Sequence, residues 1–287
     1  MDDLGGGGAH NTQLKIANVN DLTGFGRCSL AAAWPIISRL GVQCCPVPTA
    51  ILSNHTGFDS YFFDDYTDRL VPYVDEWRKL GLTFDGILTG FLGSERQVEI
   101  VERFVGDFST EATVVTVDPV MGDAGRLYST YTDDLARSVR RLLPVAHAVT
   151  PNLTEACVLA DVPYHDRPTA DELADIARRI CEQGPSCVVI TGVDRGDSLD
   201  NFCLEYGEVP YTVSAEKVAI QRSGTGDVFS AIIAAGLVRG VPFARCVRTA
   251  CEFIGSCLRY TAWLGVPETD GVCFEPLLGQ LSFFEEG

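Results

Sequence analysis

Six apolar runs punctuate the chain: KIANV (15–19), VPTAIL (47–52), GILTG (86–90), VVTVD (114–118), HAVT (147–150) and CVVITG (187–192). Between them lie stretches whose apolar residues recur at helical spacing. Strands that alternate with helices pair through crossovers, which gives a mostly parallel sheet with helices on both faces. The near-continuous apolarity of the runs agrees, because such strands are buried on both sides. The expected fold is therefore α/β: three layers, with a central, mostly parallel sheet flanked by helices.

The intervening segments carry their own start and stop signals. SLAAAWPIISRLG follows the first run, and Pro35 either kinks its helix or lies near its start. DDYTDRLVPYVDEWRKLG sets Leu70, Val74 and Trp77 on one face and stops at Gly81. SERQVEIVERF opens with Ser94 and Gln97, and TADELADIARRI with Thr169 and Glu172, both in capping-box spacing. GDVFSAIIAAGLVRG and FARCVRTACEFIGSCLRY supply the last long helices. NFCLEYGEVPYTV departs from the alternation, and its two β-rich halves around Gly207 read as a hairpin. No linker divides the chain, so residues 14–287 read as one domain behind a flexible, glycine-rich tail over 1–13.

Composition removes several classes of function. No apolar run approaches the roughly 18 residues of a membrane helix, and MDDLGGGGAHNTQLK lacks the basic and apolar parts of a signal peptide. The protein is expected in the cytoplasm. With 39 acidic and 22 basic residues, the net charge of −17 argues against nucleic acid and anionic membranes as partners. An anionic nucleotide can still bind where backbone amides or a metal offset the field. None of the 11 cysteines forms a CxxC pair, and most lie inside apolar runs, so they read as reduced core thiols. The four histidines lie far from any paired cysteines, which speaks against zinc.

Ligands of open parallel sheets bind beyond the carboxyl ends of the strands. Asp21 follows the first run, Ser53 to Thr56 the second and Phe91 the third. Asp118 ends the fourth, Asn152 and Glu155 follow the fifth, and Thr191 ends the sixth. All should converge with RSGTGDVFSA (222–231), where glycines open a helix. Amides of Gly224, Thr225 and Gly226 at a helix start make an anion hole. Asp227 beside them can take a proton from a substrate hydroxyl, whose oxygen then attacks a γ-phosphate. By itself GTGD is a weak signal, since Asp227 is also an ordinary helix-start residue. Each neighbour has a plain reading too. Asp118 either holds a water on Mg²⁺ or closes a strand-end turn. Glu155 either serves Mg²⁺ through water or completes a capping box with Asn152. His55 and Thr56 either hydrogen-bond a ring substituent or lie in solvent, and Phe91 either stacks on a flat ring or fills core.

Taken together and in order, SNHTGF, TGFLGS, DPVMGD, TPNLTEA and GTGDVFSA resemble the pyridoxal (vitamin B6) kinases of the ribokinase superfamily, over roughly residues 15–265. The resemblance implies a ribokinase-like three-layer sandwich, usually a homodimer, that uses ATP and Mg²⁺, with a monovalent cation as a further candidate. It implies that Asp227 is the base and Gly224 to Gly226 the anion hole. Asp118 and Glu155 match residues that order Mg²⁺ and phosphates, largely through water. Thr150, Asn152 and Thr191, with Thr225, match nucleotide-side positions. Leu52, His55, Thr56 and Phe91 match the pyridoxal pocket, and Asp21 its first-strand polar residue. The implied reaction moves the γ-phosphate of ATP to the 5′-hydroxyl of pyridoxal, pyridoxine or pyridoxamine.

The chain departs from that pattern in places. Asp21 stands where many pyridoxal kinases carry serine and hydroxymethylpyrimidine kinases often carry aspartate, which keeps a pyrimidine substrate as the alternative. Phe91 stands where tyrosine is frequent, so stacking is kept and a hydroxyl lost. SGTGDVF contains no cysteine, so no thiol adduct with an aldehyde is expected there. GDAGRLYSTY (122–131) has the glycines and polarity of a flap over the nucleotide. A catalytically silent ligand-binding protein on the same fold would be expected to lack the base or the anion hole, and the sequence has both.

Overall fold

The computed structural model describes residue 10 and residues 12–283, so most of the tail over 1–13 lies outside the described residues. Eleven strands and eight α-helices follow in order: β1 (Lys15–Phe25), α1 (Ser29–Arg39), β2 (Gln43–Asn54), β3 (Phe63–Asp65), α2 (Thr67–Lys79), β4 (Gly86–Thr89), α3 (Glu95–Phe108), β5 (Val114–Val117), β6 (Gly122–Asp123), β7 (Arg126–Leu127), α4 (Asp133–Ser138), β8 (Ala148–Val149), α5 (Leu153–Ala160), α6 (Ala170–Cys181), β9 (Cys187–Asp194), β10 (Ser198–Glu205), β11 (Tyr211–Glu216), α7 (Thr225–Val238) and α8 (Phe243–Leu264). Nine strands form one sheet in the order β11-β10-β9-β8-β5-β4-β1-β2-β3. The six strands from β9 to β2 run parallel, β3 and β10 run opposite to them, and β11 pairs antiparallel with β10.

The two faces bury separate cores. Helices α2 to α6 cover one face, with Phe84, Phe104 and Phe108 among its largest buried side chains. Helices α1, α7 and α8 cover the other. Helix α7 is apolar around most of its circumference, as suits a helix packed between sheet and neighbours, and nine of its residues are buried. All eleven cysteines are free thiols, nine of them buried and Cys45 and Cys251 half-buried. Among the described residues no helix is long and apolar enough to cross a membrane.

Several boundaries differ from the sequence reading. Strands β1 and β2 run on to Phe25 and Asn54, so Asp21, Ser53 and Asn54 sit within strands rather than after them. Thr191 likewise lies inside β9 rather than at its end. The extra length mixes polar residues with isolated apolar ones such as Leu22, Phe25 and Val193, and for that reason the apolar runs did not disclose it. Helix α1 begins at Ser29 and carries Pro35 inside it. Ser94 caps α3 through the Gln97 amide, but the Gln97 carboxamide turns to the Gly93 amide instead of closing the box. The Thr169 and Glu172 box forms in both directions. The hairpin around Gly207 is β10–β11. The 122–131 segment contains a second hairpin, β6–β7, which sequence periodicity could not register because each strand has two residues.

Candidate active site

Strand order arranges the polar residues along one sheet edge. Thr191 on β9 and Thr150 after β8 lie toward one end, Asp118 after β5 in the middle, and Phe91, Asp21 and Leu52 toward β4, β1 and β2. The start of α7 meets the middle of this row. A Cβ built on Gly226 would lie 4.0 Å from the Asp118 carboxylate.

Gly224 caps α7 with φ +86°, and Asp227 lies in the helix's first turn. The side chain that fixes Asp227 is Asn20. Its Nδ2 donates to Asp227 Oδ1 at 3.1 Å, while its Oδ1 accepts the amides of Asp21 and Phe91, both at 2.9 Å. One carboxamide on β1 thus binds the acid on α7, its own strand and the segment after β4. Asp227 is half-buried at the cleft, where it remains reachable. Desolvation by the cleft walls raises its carboxyl to about 6, against hydrogen bonds from the Ser29 backbone and Asn20; nearby Asp21 adds to the rise.

Asp118 is buried, and desolvation followed by repulsion from Asp227 raises its carboxyl, while Ser230 on α7 donates to it at 2.9 Å. Glu155 is raised by burial and then by Asp118. Its Oε2 accepts the Asn152 amide at 2.8 Å, and Asn152 Oδ1 accepts the Glu155 amide at 3.0 Å, so the capping box is complete. Its Oε1 also accepts the Met121 amide at 3.1 Å, and Asn152 Nδ2 donates to the Gly122 carbonyl at 2.7 Å. The pair therefore caps α5 and anchors the approach to the β6–β7 hairpin together. Among the described residues no ion pair includes Asp118, Glu155 or Asp227.

A raised carboxyl pKa has a stability consequence with a fixed sign. The folded chain holds the Asp227 proton more tightly than the unfolded chain does, so the favourable contribution is complete below the ordinary value of 3.8 and is lost as pH rises through about 6. A carboxamide at the same position cannot ionise. Asp227→Asn should therefore gain stability relative to the wild type as pH rises across that window. Urea unfolding of both proteins with EDTA at either end of the window measures this, and a stability difference that does not change with pH would contradict it.

A cavity of about 440 Å³ opens on the β9–β11 side of the α7 start. Thr150, Thr191, Thr225 and Gly226 line it, with Asp123 from the β6–β7 hairpin and an apolar wall that includes Val218, Ile220 and Leu258. The Thr150 hydroxyl is buried and has no hydrogen-bond partner among the described residues. Asn152 does not line this cavity; it faces Gly122. On the other side, Asp21 is buried, and desolvation raises its carboxyl against hydrogen bonds from Ser29 and Thr23, the latter at 2.6 Å. Leu52 is buried beside Thr23 in the β1–β2 register. The half-buried Phe91 ring meets Tyr131 edge-on at 5.9 Å. Thr56 is exposed, and both ring nitrogens of His55 are engaged by the protein.

Sequence reasoning missed Asn20, Ser230 and Arg27. The Arg27 carbonyl would lie 2.0 Å from a Cβ on Gly224. A signal for Asn20 existed: it directly follows the apolar run KIANV of a strand that should be covered on both faces, where a buried amide persists only if hydrogen-bonded.

The sequence pattern of the phosphomethylpyrimidine kinase family matches residues 36–270. The chain belongs to this family, and its relatives set it with the pyridoxal kinases of the ribokinase superfamily. It is 29% identical to the pyridoxal kinase PdxY of Leifsonia xyli subsp. xyli over 79% of this chain and 82% of that one. It is 30% identical to the chloroplastic thiamine biosynthetic bifunctional enzyme TH1 of Arabidopsis thaliana over 86% of this chain, which spans only 46% of the bifunctional enzyme's length. The crystal structure of a candidate phosphomethylpyrimidine kinase of Bacteroides thetaiotaomicron is similar at a TM-score of 0.92 and 37% identity, with 94% of each chain covered. An orthorhombic form of that protein was obtained with pyridoxal.

Proposed function

We propose that the chain transfers the γ-phosphate of ATP to the 5′-hydroxyl of a vitamin B6 vitamer. The observation that carries this reading is the position of Asp227. It stands at a glycine-rich helix start, between a cavity of nucleotide size and a second group of residues that suits a flat ring. The pyridoxal form of the Bacteroides protein supports the choice of vitamer over sugar.

In this reading ATP occupies the cavity with Thr150, Thr191 and Thr225 on its wall, and Asn152 acts behind it by anchoring the hairpin. Asp227 takes the proton from the substrate hydroxyl as that oxygen bonds to the γ-phosphorus. The bond from phosphorus to the bridging oxygen breaks, and ADP leaves. Amides of Gly224 to Gly226 hold the charge that spreads over the transferring oxygens. Asp21, Leu52, Thr56 and Phe91 border the ring. Mg²⁺ fits the residues present, because Asp118 and Glu155 are buried carboxyls without a cationic partner among the described residues. Among the described residues no three ligating side chains cluster, which suits an ion that keeps waters and phosphates as ligands. Bound there through water, it would neutralise phosphate charge.

Side-by-side assay of ATP-dependent phosphorylation of pyridoxal, pyridoxine, pyridoxamine and hydroxymethylpyrimidine tests the reading. A B6 vitamer is expected to win. A pyrimidine winner would replace it with the second reading, which the buried Asp21 carboxylate and the family match both favour. Asp21 also carries a narrower prediction. A carboxylate favours a protonated ring nitrogen or an amine, so the wild type should prefer pyridoxamine or pyridoxine, and Asp21→Ser should shift kcat/KM toward pyridoxal. Unchanged ratios among the three vitamers would remove Asp21 from the specificity set.

A further inference from the structure

His55 lies where three segments meet. Its Nδ1 accepts the Gly57 amide at 3.1 Å, which assigns the ring proton to Nε2. Nε2 then donates to the Thr269 carbonyl at 2.8 Å, and Ser223 Oγ lies 3.3 Å from the same nitrogen. Phe58 packs against the ring at 4.8 Å. The fit is close: a Cβ on Gly26 would come within 2.4 Å of the imidazole, and one on Gly57 within 2.9 Å. The segments it touches are themselves cross-linked. The Val272 amide donates to the Ser223 carbonyl at 3.0 Å, and the Arg27 amide to the Asp270 carbonyl at 3.3 Å. Ser223 immediately precedes Gly224, the cap of α7.

We infer that His55 is a positioning residue, a latch that ties the loop after β2 to the 268–271 turn and to the start of the anion hole, and not a ligand for a ring substituent. Among the described residues both ring nitrogens are engaged by the protein: Nδ1 by Gly57 in its own loop, and Nε2 by the Thr269 carbonyl and by Ser223, the residue before Gly224. Anion-hole donors act only when held within about 0.5 Å of the position where charge develops, and an error near 1 Å can cost about 10² in rate. A side chain on the substrate-side loop thus sets donor geometry without touching either substrate. The catalytic part of this inference rests on the kinase reading; the structural part does not.

The test compares wild type, His55→Ala and His55→Gln. Glutamine places an N–H near the Nε2 position and can still reach the Thr269 carbonyl, whereas alanine cannot. Hydrogen exchange of the protein without ligands is read at residues 223–226 and 269–272, and kcat and KM are measured for each B6 vitamer. Faster exchange in both segments of His55→Ala is expected, with kcat down about 10-fold or more and vitamer KM changed less than about 3-fold. His55→Gln should recover most of both. Unchanged exchange with vitamer KM raised 10-fold or more makes His55 a substrate ligand and overturns the latch. Unchanged exchange together with unchanged kinetics overturns it as well. If the wild type turns over no vitamer, faster exchange in His55→Ala with recovery in His55→Gln upholds the latch while sinking the kinase reading.

Discussion

Asp227→Asn should lower kcat by about 10²–10⁴-fold, the range typical for loss of a general base, while the chain folds as before. The substitution keeps size and shape, and the new carboxamide oxygen can still accept from Asn20 Nδ2, which reaches Asp227 Oδ1 at 3.1 Å in the wild type. It removes only the ability to take a proton. The wild-type carboxyl is raised to about 6, so kcat/KM should fall on the acid side of that value, and the variant should lose this limb. Single-turnover rates with saturating ATP separate the chemical step from product release. A variant that turns over at the wild-type rate would move the base elsewhere. The same substitution is expected to stabilise the fold at neutral pH. Activity and stability therefore pull in opposite directions at this position, as they commonly do where a charge is held in a desolvated cleft.

Gly224→Ala should be nearly as damaging for a different reason. Gly224 has φ +86°, where a Cβ costs roughly 1–2 kcal/mol on backbone grounds alone. The added carbon would also lie 2.0 Å from the Arg27 carbonyl oxygen, a contact that backbone must shift to relieve. Arg27 has little freedom to yield: its amide donates to the Asp270 carbonyl at 3.3 Å, and its guanidinium pairs with Glu275 at 2.5 Å. The start of α7 must move instead, and its amides with it. Loss of one well-aimed donor typically costs about 10²–10³ in rate, and kcat is expected to fall in that range. Gly240→Ala provides the control, since Gly240 has φ +74° with open space where its Cβ would go. It should lower the urea midpoint modestly and spare kcat. Equal behaviour of the two variants would show that the close approach to Arg27 is irrelevant.

Local patterns made the sheet, the long helices and the 150–156 capping box legible, because each depends on residues close in sequence. Strand apolarity gave the parallel core, and the glycines of GTGD marked the start of α7, though not the left-handed backbone at Gly224. Contacts across long spans were not legible in the same way. Asn20 and Asp227 are 207 positions apart, and Ser230 and Asp118 are 112 apart. Nothing local marks an asparagine on β1 as the support of an acid on α7. His55 illustrates the same limit. Its place after a strand suggested a ligand, but its partners at Thr269 and Ser223 become neighbours only through the fold. Strand β3 and the β6–β7 hairpin escaped because their strands are too short for periodicity to register.

The three hydrogen bonds of Asn20 also bear on how such an enzyme can diversify. Asp227 on α7, Asp21 on β1 and the segment at Phe91 all hang from one carboxamide. A change at Asn20 would disturb all three together, so adaptive paths through it are narrow. Changes at Asp21 or Phe91 alter one appendage and leave the support standing. On the proposed reading, changes in substrate choice are expected at the positions around Asn20, and Asp21 and Phe91 are the two at which the sequence resemblance to pyridoxal kinases breaks.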